Sequence, residues 1–391
     1  MRKPEEMLFA LLRASLHEKE TETALFVDAT ETDWSECFLL AKKQGVMALA
    51  WEGVLRLPNP LHPDMELKLQ WGIKVEHLER KYQRYCKVAH EITELYKQHD
   101  IATMHLKGVG LSTLYPVPSH REGGDIDIYT YSADPSKMSD KEANHLADKL
   151  MGRKGIEVNT SSYKHSNFHY KGIPIENHKY FLNIKHYPIA NQINGWLMKD
   201  LQPQSTPLLN GECRIWTPSP TFNTLFLAFH AAQHYGSGLA LHHLCDWAML
   251  IHRHGLQLPQ ELTDKRFIEA ICAFTQLCNR YLGTQIKVEG GEELADKILE
   301  EVLRPRFPHK GAVTMEGKLN ILIYKTRRFL HCSKISNQIL YIPLWKRIWK
   351  SVVAHILHPR TIFLMGNKKS SYEFSETDLS PITPRRTEEG K

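Results

Sequence analysis

From Asp64 to about Asp100, apolar residues recur in steps of four and three: Trp71, Val75, Leu78, Tyr82, Tyr85, Ala89, Ile92 and Tyr96. That spacing lays one apolar seam along a single helix. Glu76, Lys81, Lys87 and Glu91 fall off the seam. At roughly 1.5 Å per residue the helix is about 50 Å long. A seam of that length must be covered, and the segments C-terminal to it are expected to pack along it. Residues before it also read as helical, so 1–100 is expected as an N-terminal helical region.

The period then changes. Thr103 to Leu106 is a short strand candidate ending at Lys107-Gly108. Val109 to Tyr115 can form a short helix, stopped by Pro116 and Pro118. Asp125 to Tyr131 alternates strictly and predicts a strand. Ser139 and Glu142 form a capping-box signature, and Ala143, Leu146, Ala147 and Leu150 give the helix behind it an apolar face. Asn167–Tyr170 and Ile173–His178 flank Lys171-Gly172, as the arms of a hairpin do. Residues 101–215 are therefore expected as an α/β core with a short sheet. From Thr221 onward the helical period returns. Phe222, Leu225, Phe226 and Phe229 share one face, as do Leu241, Leu244, Cys245 and Ala248. The spacing predicts a C-terminal helical region over 216–360. The Ser-, Thr-, Pro- and charge-rich 361–391 is expected as a disordered tail. The fold class is thus α+β or α/β, a small sheet flanked by two helical regions.

At 391 residues the chain is long enough for two or three packed domains. Lys and Arg outnumber Asp and Glu by 50 to 44. So mild an excess does not single out nucleic acid, but it is compatible with a polyanion such as a nucleoside triphosphate. The seven cysteines are scattered with no C-x-x-C pair. That argues against a disulfide framework or structural zinc, and a reducing cytoplasm fits best. The first twenty residues read as an amphipathic helix, not a signal peptide. No run of eighteen apolar residues is present, so no integral membrane span is expected.

Chemistry concentrates in Asp125-Ile126-Asp127-Ile128. In a strand, Asp125 and Asp127 face one side while the two isoleucines face a core. Paired carboxylates repel unless a cation lies between them. Mg²⁺ commonly takes one or two carboxylates and completes its shell with substrate phosphates. Phosphoryl transfer uses that arrangement because it depends on positioning and charge neutralisation. Two surface acids on an edge strand would give the same pattern. Glu176 adds to the metal reading, because with Ile173 and Ile175 in the core it shares the opposite face with His178. Lys107-Gly108-Val109-Gly110 marks a strand-to-helix junction where backbone can approach an anion. It lacks the Walker pattern.

His105 to Pro116, followed by Arg121-Glu-Gly-Gly-Asp125-Ile-Asp127 and Ile175-Glu176-Asn177-His178, resembles the uncharacterised nucleotidyltransferase family common in bacteria, part of the polymerase β-like superfamily. Leu225 to Leu250, with His230, His234 and Asp246, resembles that family's helical region; the resemblance spans roughly residues 30–330. It implies that Asp125, Asp127 and Glu176 hold catalytic Mg²⁺ or Mn²⁺. Glu176 would also help deprotonate an acceptor hydroxyl or hold a second ion. Lys107 and Gly108 would lie against the triphosphate. The superfamily's Gly-Ser pair is missing: Val109 follows Gly108, and the nearest hydroxyl is Ser112. Arg121 is placed to contact phosphate or to pair with Glu122 or Asp125. His178, beside Glu176, is a candidate nucleotide or acceptor contact. The implied reaction moves a nucleotidyl group to an acceptor — small molecule, RNA or protein — and releases pyrophosphate. A D-x-D glycosyltransferase and a non-catalytic nucleotide-binding protein on the same fold are the alternatives.

His230 and His234 stand four apart on one helix, either as metal ligands or as polar packing. Trp345, Ile348, Trp349, Val352 and Ile356 form an apolar stripe, with Lys346, Arg347 and Lys350 off it. The segment 345–356 is read as capping a helical domain. Peripheral contact with an anionic membrane is the other use of such a stripe.

Overall fold

The structure is a computed structural model, and it describes residues 1–185, 187–307 and 317–357. The tail expected over 361–391 lies outside them. The chain opens with three helices, α1 (Lys3–His17), α2 (Glu31–Gln44) and α3 (Met47–Leu55), and then the long α4 (Met65–Lys97). Next come β1 (Ile101–His105), the single turn α5 (Val109–Ser112), β2 (Ile126–Ser132), α6 (Asp140–Arg153), β3 (His165–Tyr170) and β4 (Ile173–His178). Helix α7 (Pro188–Lys199) and the hairpin β5 (Gln204–Leu208) and β6 (Cys213–Thr217) come after β4. The rest is helical: α8 (Pro220–His234), α9 (Leu241–His254), α10 (Lys265–Tyr281), α11 (Glu292–Leu303), α12 (Lys318–Ile339) and α13 (Leu344–Leu357).

Asp64 starts α4 by accepting the Leu67 amide at 2.8 Å, the role of an N-cap side chain. The seam is buried, with Tyr82 only partly so, and it serves two cores. Trp71, Val75 and Leu78 join a large cluster with α1–α3, whereas Tyr85, Ala89, Ile92 and Tyr96 lie in a smaller cluster at the sheet. The helix therefore packs on the N-terminal helices as well as on the sheet. The first helix is amphipathic as expected: Lys3, Glu6, Arg13 and His17 share one partly exposed stripe. The rest of α1 is buried, with Met7 to Leu12 inside the large cluster.

The fold is α+β, with a four-stranded mixed sheet in the order β1-β2-β4-β3. Strands β2 and β4 run parallel; the outer pairs are antiparallel. The β3–β4 hairpin turns on Lys171 and Gly172, both at positive φ (51° and 75°), as a type I′ turn requires. One sheet face buries Ile126, Ile128, Ile173 and Ile175 with Ala143, Ala147 and Met151 of α6. A polar layer fixes β4 on that face. Asn144 donates to the His178 carbonyl at 2.9 Å, and Asn177 donates to Asp148 at 3.0 Å. The opposite face carries Asp127, Tyr129, Glu176 and His178.

The C-terminal helices share one core with the N-terminal ones: Phe222, Phe226, Phe229, Trp247, Phe267 and Phe274 cluster with Phe9, Trp34 and Trp71. The end of the chain departs from expectation. Trp345 and Trp349 of α13 are 66% and 65% exposed, and Val352 and Ile356 are exposed too, so the stripe is not a buried cap. Arg347 is instead the inward residue, donating to Asn337 at 2.9 Å. Among the described residues no helix is long and apolar enough to cross a membrane. All seven cysteines are free.

Candidate active site

Asp125 stands one residue before β2, and Asp127 is the second residue inside it. Parallel pairing puts Asp127 directly opposite Glu176 of β4. Like charges facing each other across a sheet destabilise it unless something positive lies between. One ligand oxygen each from Asp125, Asp127 and Glu176 can be chosen so that all lie within 4.8 Å of one another. Gly108 makes this approach possible. It sits at φ +59°, and a Cβ there would meet the Asp125 carbonyl oxygen at 3.2 Å. Leu106 N donates to the Asp127 carbonyl at 3.0 Å and binds the junction to β2.

Asp127 does not project freely, as strand phase alone suggests. It is fully buried, and its Oδ1 meets Lys107 Nζ at 3.0 Å and His178 Nε2 at 3.0 Å. Its Oδ2 is buried with no hydrogen-bond partner among the described residues. Burial works against its charge, but Lys107 and His178 outweigh burial and hold the carboxyl well below the usual carboxylate range. Asp125 goes the other way. The charge on Asp127, with burial, pushes it up to about 6. Glu176 is held low despite burial, by His165, whose Nδ1 lies 3.0 Å from Oε2. Three acids close together, with an orphaned buried oxygen among them, form a donor set that fits a hard divalent cation.

Lys107 is placed against this cluster, and the charges of Asp127, Asp125 and Glu176 raise its pKa against the effect of burial. Two residues expected at the nucleotide are engaged by other partners in the fold. Ser112 is fully buried; its hydroxyl donates to Val109 O at 2.8 Å and meets the Tyr82 hydroxyl at 3.0 Å. The single turn of α5 faces it into α4, where it stabilises packing. Arg121 is anchored on helix α9, and its charge also acts to lower the pKa of Asp125 and of Glu122. Its guanidinium makes a two-pronged contact with Asp246 of α9, at 3.0 and 2.7 Å. A buried guanidinium needs a carboxylate with matching geometry, and α9 supplies it. Glu122 turns the other way and accepts the Ala48 amide at 3.1 Å and that of Met47, at the start of α3. Between these anchors, Lys81 donates to Gly123 O at 2.7 Å and Tyr85 to Gly124 O at 3.1 Å.

Several residues had no visible signal in the sequence. Lys164 precedes β3 and lies close enough to be affected by Lys107, Asp127, Glu176 and Asp125; burial and Lys107 lower its pKa. It is a lone lysine in an irregular segment. Lys81 looked like a solvated residue off the seam. Asp246 was visible only as part of the helical region that resembles the family's, and its pairing with Arg121 comes from the fold.

His230, His234 and His243 also offer ligand atoms within 4.8 Å. His243 Nδ1 accepts the Ala240 amide at 3.2 Å, so the neutral ring carries its proton on Nε2. That makes it a donor, not a ligand. The rings of His230 and His234 pack at 4.6 Å and those of His234 and His243 at 4.8 Å, which is polar packing. Burial, then the charge of Lys107, keeps His230 neutral.

Among curated proteins none matches the chain. A solved structure described as an antigenic nucleotidyltransferase-like protein from Paracoccidioides brasiliensis is 14% identical, with a TM-score of 0.34, over 52% of this chain and 94% of that one. The sequence model of the uncharacterised nucleotidyltransferases matches residues 30–283, a stretch that runs from α2 to the end of α10 and includes every residue of the carboxylate cluster. The chain belongs to the uncharacterised nucleotidyltransferase family.

Proposed function

We propose that the chain transfers a nucleotidyl group from a nucleoside triphosphate to an acceptor hydroxyl or phosphate, releasing pyrophosphate, as in the polymerase β-like superfamily. The observation that carries this reading is the pairing of Asp127 opposite Glu176, with Asp125 completing a set of oxygens within 4.8 Å. A diphosphate-sugar site built on D-x-D alone gives no reason for the third acid. Bound Mg²⁺ or Mn²⁺ would neutralise triphosphate oxygens and activate the acceptor oxygen.

The chain's own residues do the rest. Asp125 and Asp127 hold the cation, and Asp127 keeps its charge because Lys107 and His178 favour it. Lys107 has three N–H groups; one points at Asp127, which leaves others for a phosphate oxygen. Lys164 is a further lysine whose charge reaches the cluster, and it would meet the developing pyrophosphate charge. Gly108 keeps the backbone close behind Asp125. Glu176 would take the acceptor's proton or hold a second ion.

The test incubates the purified chain with each α-labelled triphosphate, Mg²⁺ or Mn²⁺ and a cell extract as acceptor source. The expected result is label in a new product that disappears with Asp125→Asn. Metal-independent triphosphate binding by calorimetry, with no labelled product under any condition, overturns the reading.

A further inference from the structure

Glu176 belongs to two clusters at once. Besides the three carboxylates, His165, Glu176 and His178 offer ligand atoms that all lie within 4.8 Å of one another. The two sets differ in chemistry: one is all oxygen, the other contains two imidazoles. His178 is the informative member. It is fully buried, with Nδ1 3.3 Å from the Tyr180 carbonyl, while Nε2 is 3.0 Å from Asp127 Oδ1 and 3.7 Å from Glu176 Oε2. A neutral imidazole has one N–H. Without a cation, Nε2–H donates to Asp127; moving the proton to Nδ1, where the Tyr180 carbonyl accepts it, frees the Nε2 lone pair for a cation. A backbone carbonyl holding Nδ1–H is also how metal-bound histidines are commonly oriented. His165 Nδ1 is buried with no hydrogen-bond partner, although Glu176 Oε2 is 3.0 Å away.

We propose that Glu176 bridges two unlike cation sites: the carboxylate site with Asp125 and Asp127 for Mg²⁺, and a nitrogen site with His165 and His178 for an imidazole-seeking ion such as Zn²⁺. The inference rests on the proposed carboxylate site but extends it. Imidazole suits Zn²⁺ better than Mg²⁺, whereas carboxylate and water suit Mg²⁺.

The experiment uses the full chain without a histidine tag, one equivalent of Zn²⁺ and excess Mg²⁺, read by zinc X-ray absorption. Imidazole ligands show as nitrogen at about 2.0–2.1 Å with outer-ring scattering. The expected result is two imidazoles in the wild type, unchanged in His230→Asn and reduced in both His178→Asn and His165→Asn. The proposal is overturned by zinc with oxygen ligands only, by no bound zinc, or by an imidazole signal that His230→Asn removes. Since the wild type and His230→Asn already decide the matter, a poorly folded His178 variant does not rescue it. Calorimetry of Mg²⁺-dependent triphosphate binding on the same protein separates the two readings. If that binding persists while the zinc signal is absent, the nitrogen site alone has failed; if both are absent, the carboxylate reading has failed with it.

Discussion

Arg121 and Asp246 lie 125 residues apart and meet in a buried two-pronged ion pair, with Tyr115 donating a third hydrogen bond to Asp246 at 2.7 Å. The pair joins the segment just before the D-x-D to helix α9. A salt bridge of this kind is revealing because breaking it leaves a charge stranded.

Asp246→Ala should therefore destabilise the fold by about 3–5 kcal/mol, the usual range when one partner of a buried pair is removed. Replacing both residues, as in Arg121→Met with Asp246→Leu, should recover most of that loss. Urea unfolding of the single and double variants checks it. A single variant within about 0.5 kcal/mol of wild type would show that the pair is solvated.

Asp125→Asn and Asp127→Asn should both lower transfer by about 10²–10³-fold or more, since each removes a charge aimed at the reacting phosphates. Their effects on the metal-free fold should have opposite signs. Asp125 is raised to about 6 in the fold, so its ionised form weakens the folded state at pH 8, and the amide should stabilise. Asp127 is depressed, so its charge stabilises the fold above the ordinary carboxylate range. Its amide should destabilise at pH 8, because Lys107 and His178 lose their partner. Strand phase alone suggests a neutral effect there, as it hides the burial of Asp127. Thermal melts in chelator at pH 8 distinguish the two, and a shift in the same direction for both would contradict the assignment.

Glu122 gives a pH signature. Burial pushes it up to about 7, while the Ala48 and Met47 amides partly offset that rise. A folded pKa above the unfolded one means the folded state binds the proton more tightly. Stability from this group thus falls as pH rises between the ordinary glutamate value and about 7, then levels off. Glu122→Gln should match wild type near pH 5 and be more stable at pH 8, by on the order of 1–3 kcal/mol. Denaturant midpoints across that range test it; parallel curves would place the charge of Glu122 in solvent.

Much of this was legible in the sequence, for reasons that differ by element. The α4 seam, the capping box of α6 and the Lys171-Gly172 turn are local signals, and each reads directly as backbone geometry. The phase of Asp127 and of Glu176 was also local, but their direct opposition depends on β2 running parallel to β4, which no local pattern states. The β5–β6 hairpin was missed because Gln204-Ser-Thr-Pro-Leu208 has little apolar alternation and contains a proline. The buried partners of Ser112 and Arg121 were not legible, for a common reason. A polar side chain near a motif satisfies whichever buried partner the fold brings to it, and here those are Tyr82 and Asp246.

The clamped segment between the α5 turn and β2 has one more consequence. Glu122 is fastened to α3, Gly123 and Gly124 to α4, and Arg121 to α9. A crossover that swapped residues 101–215 into a foreign scaffold would carry the aspartates but sever all three moorings. Successful recombinants of this chain should therefore inherit α3, α4 and α9 together with the D-x-D, as a unit of heredity larger than the sheet itself.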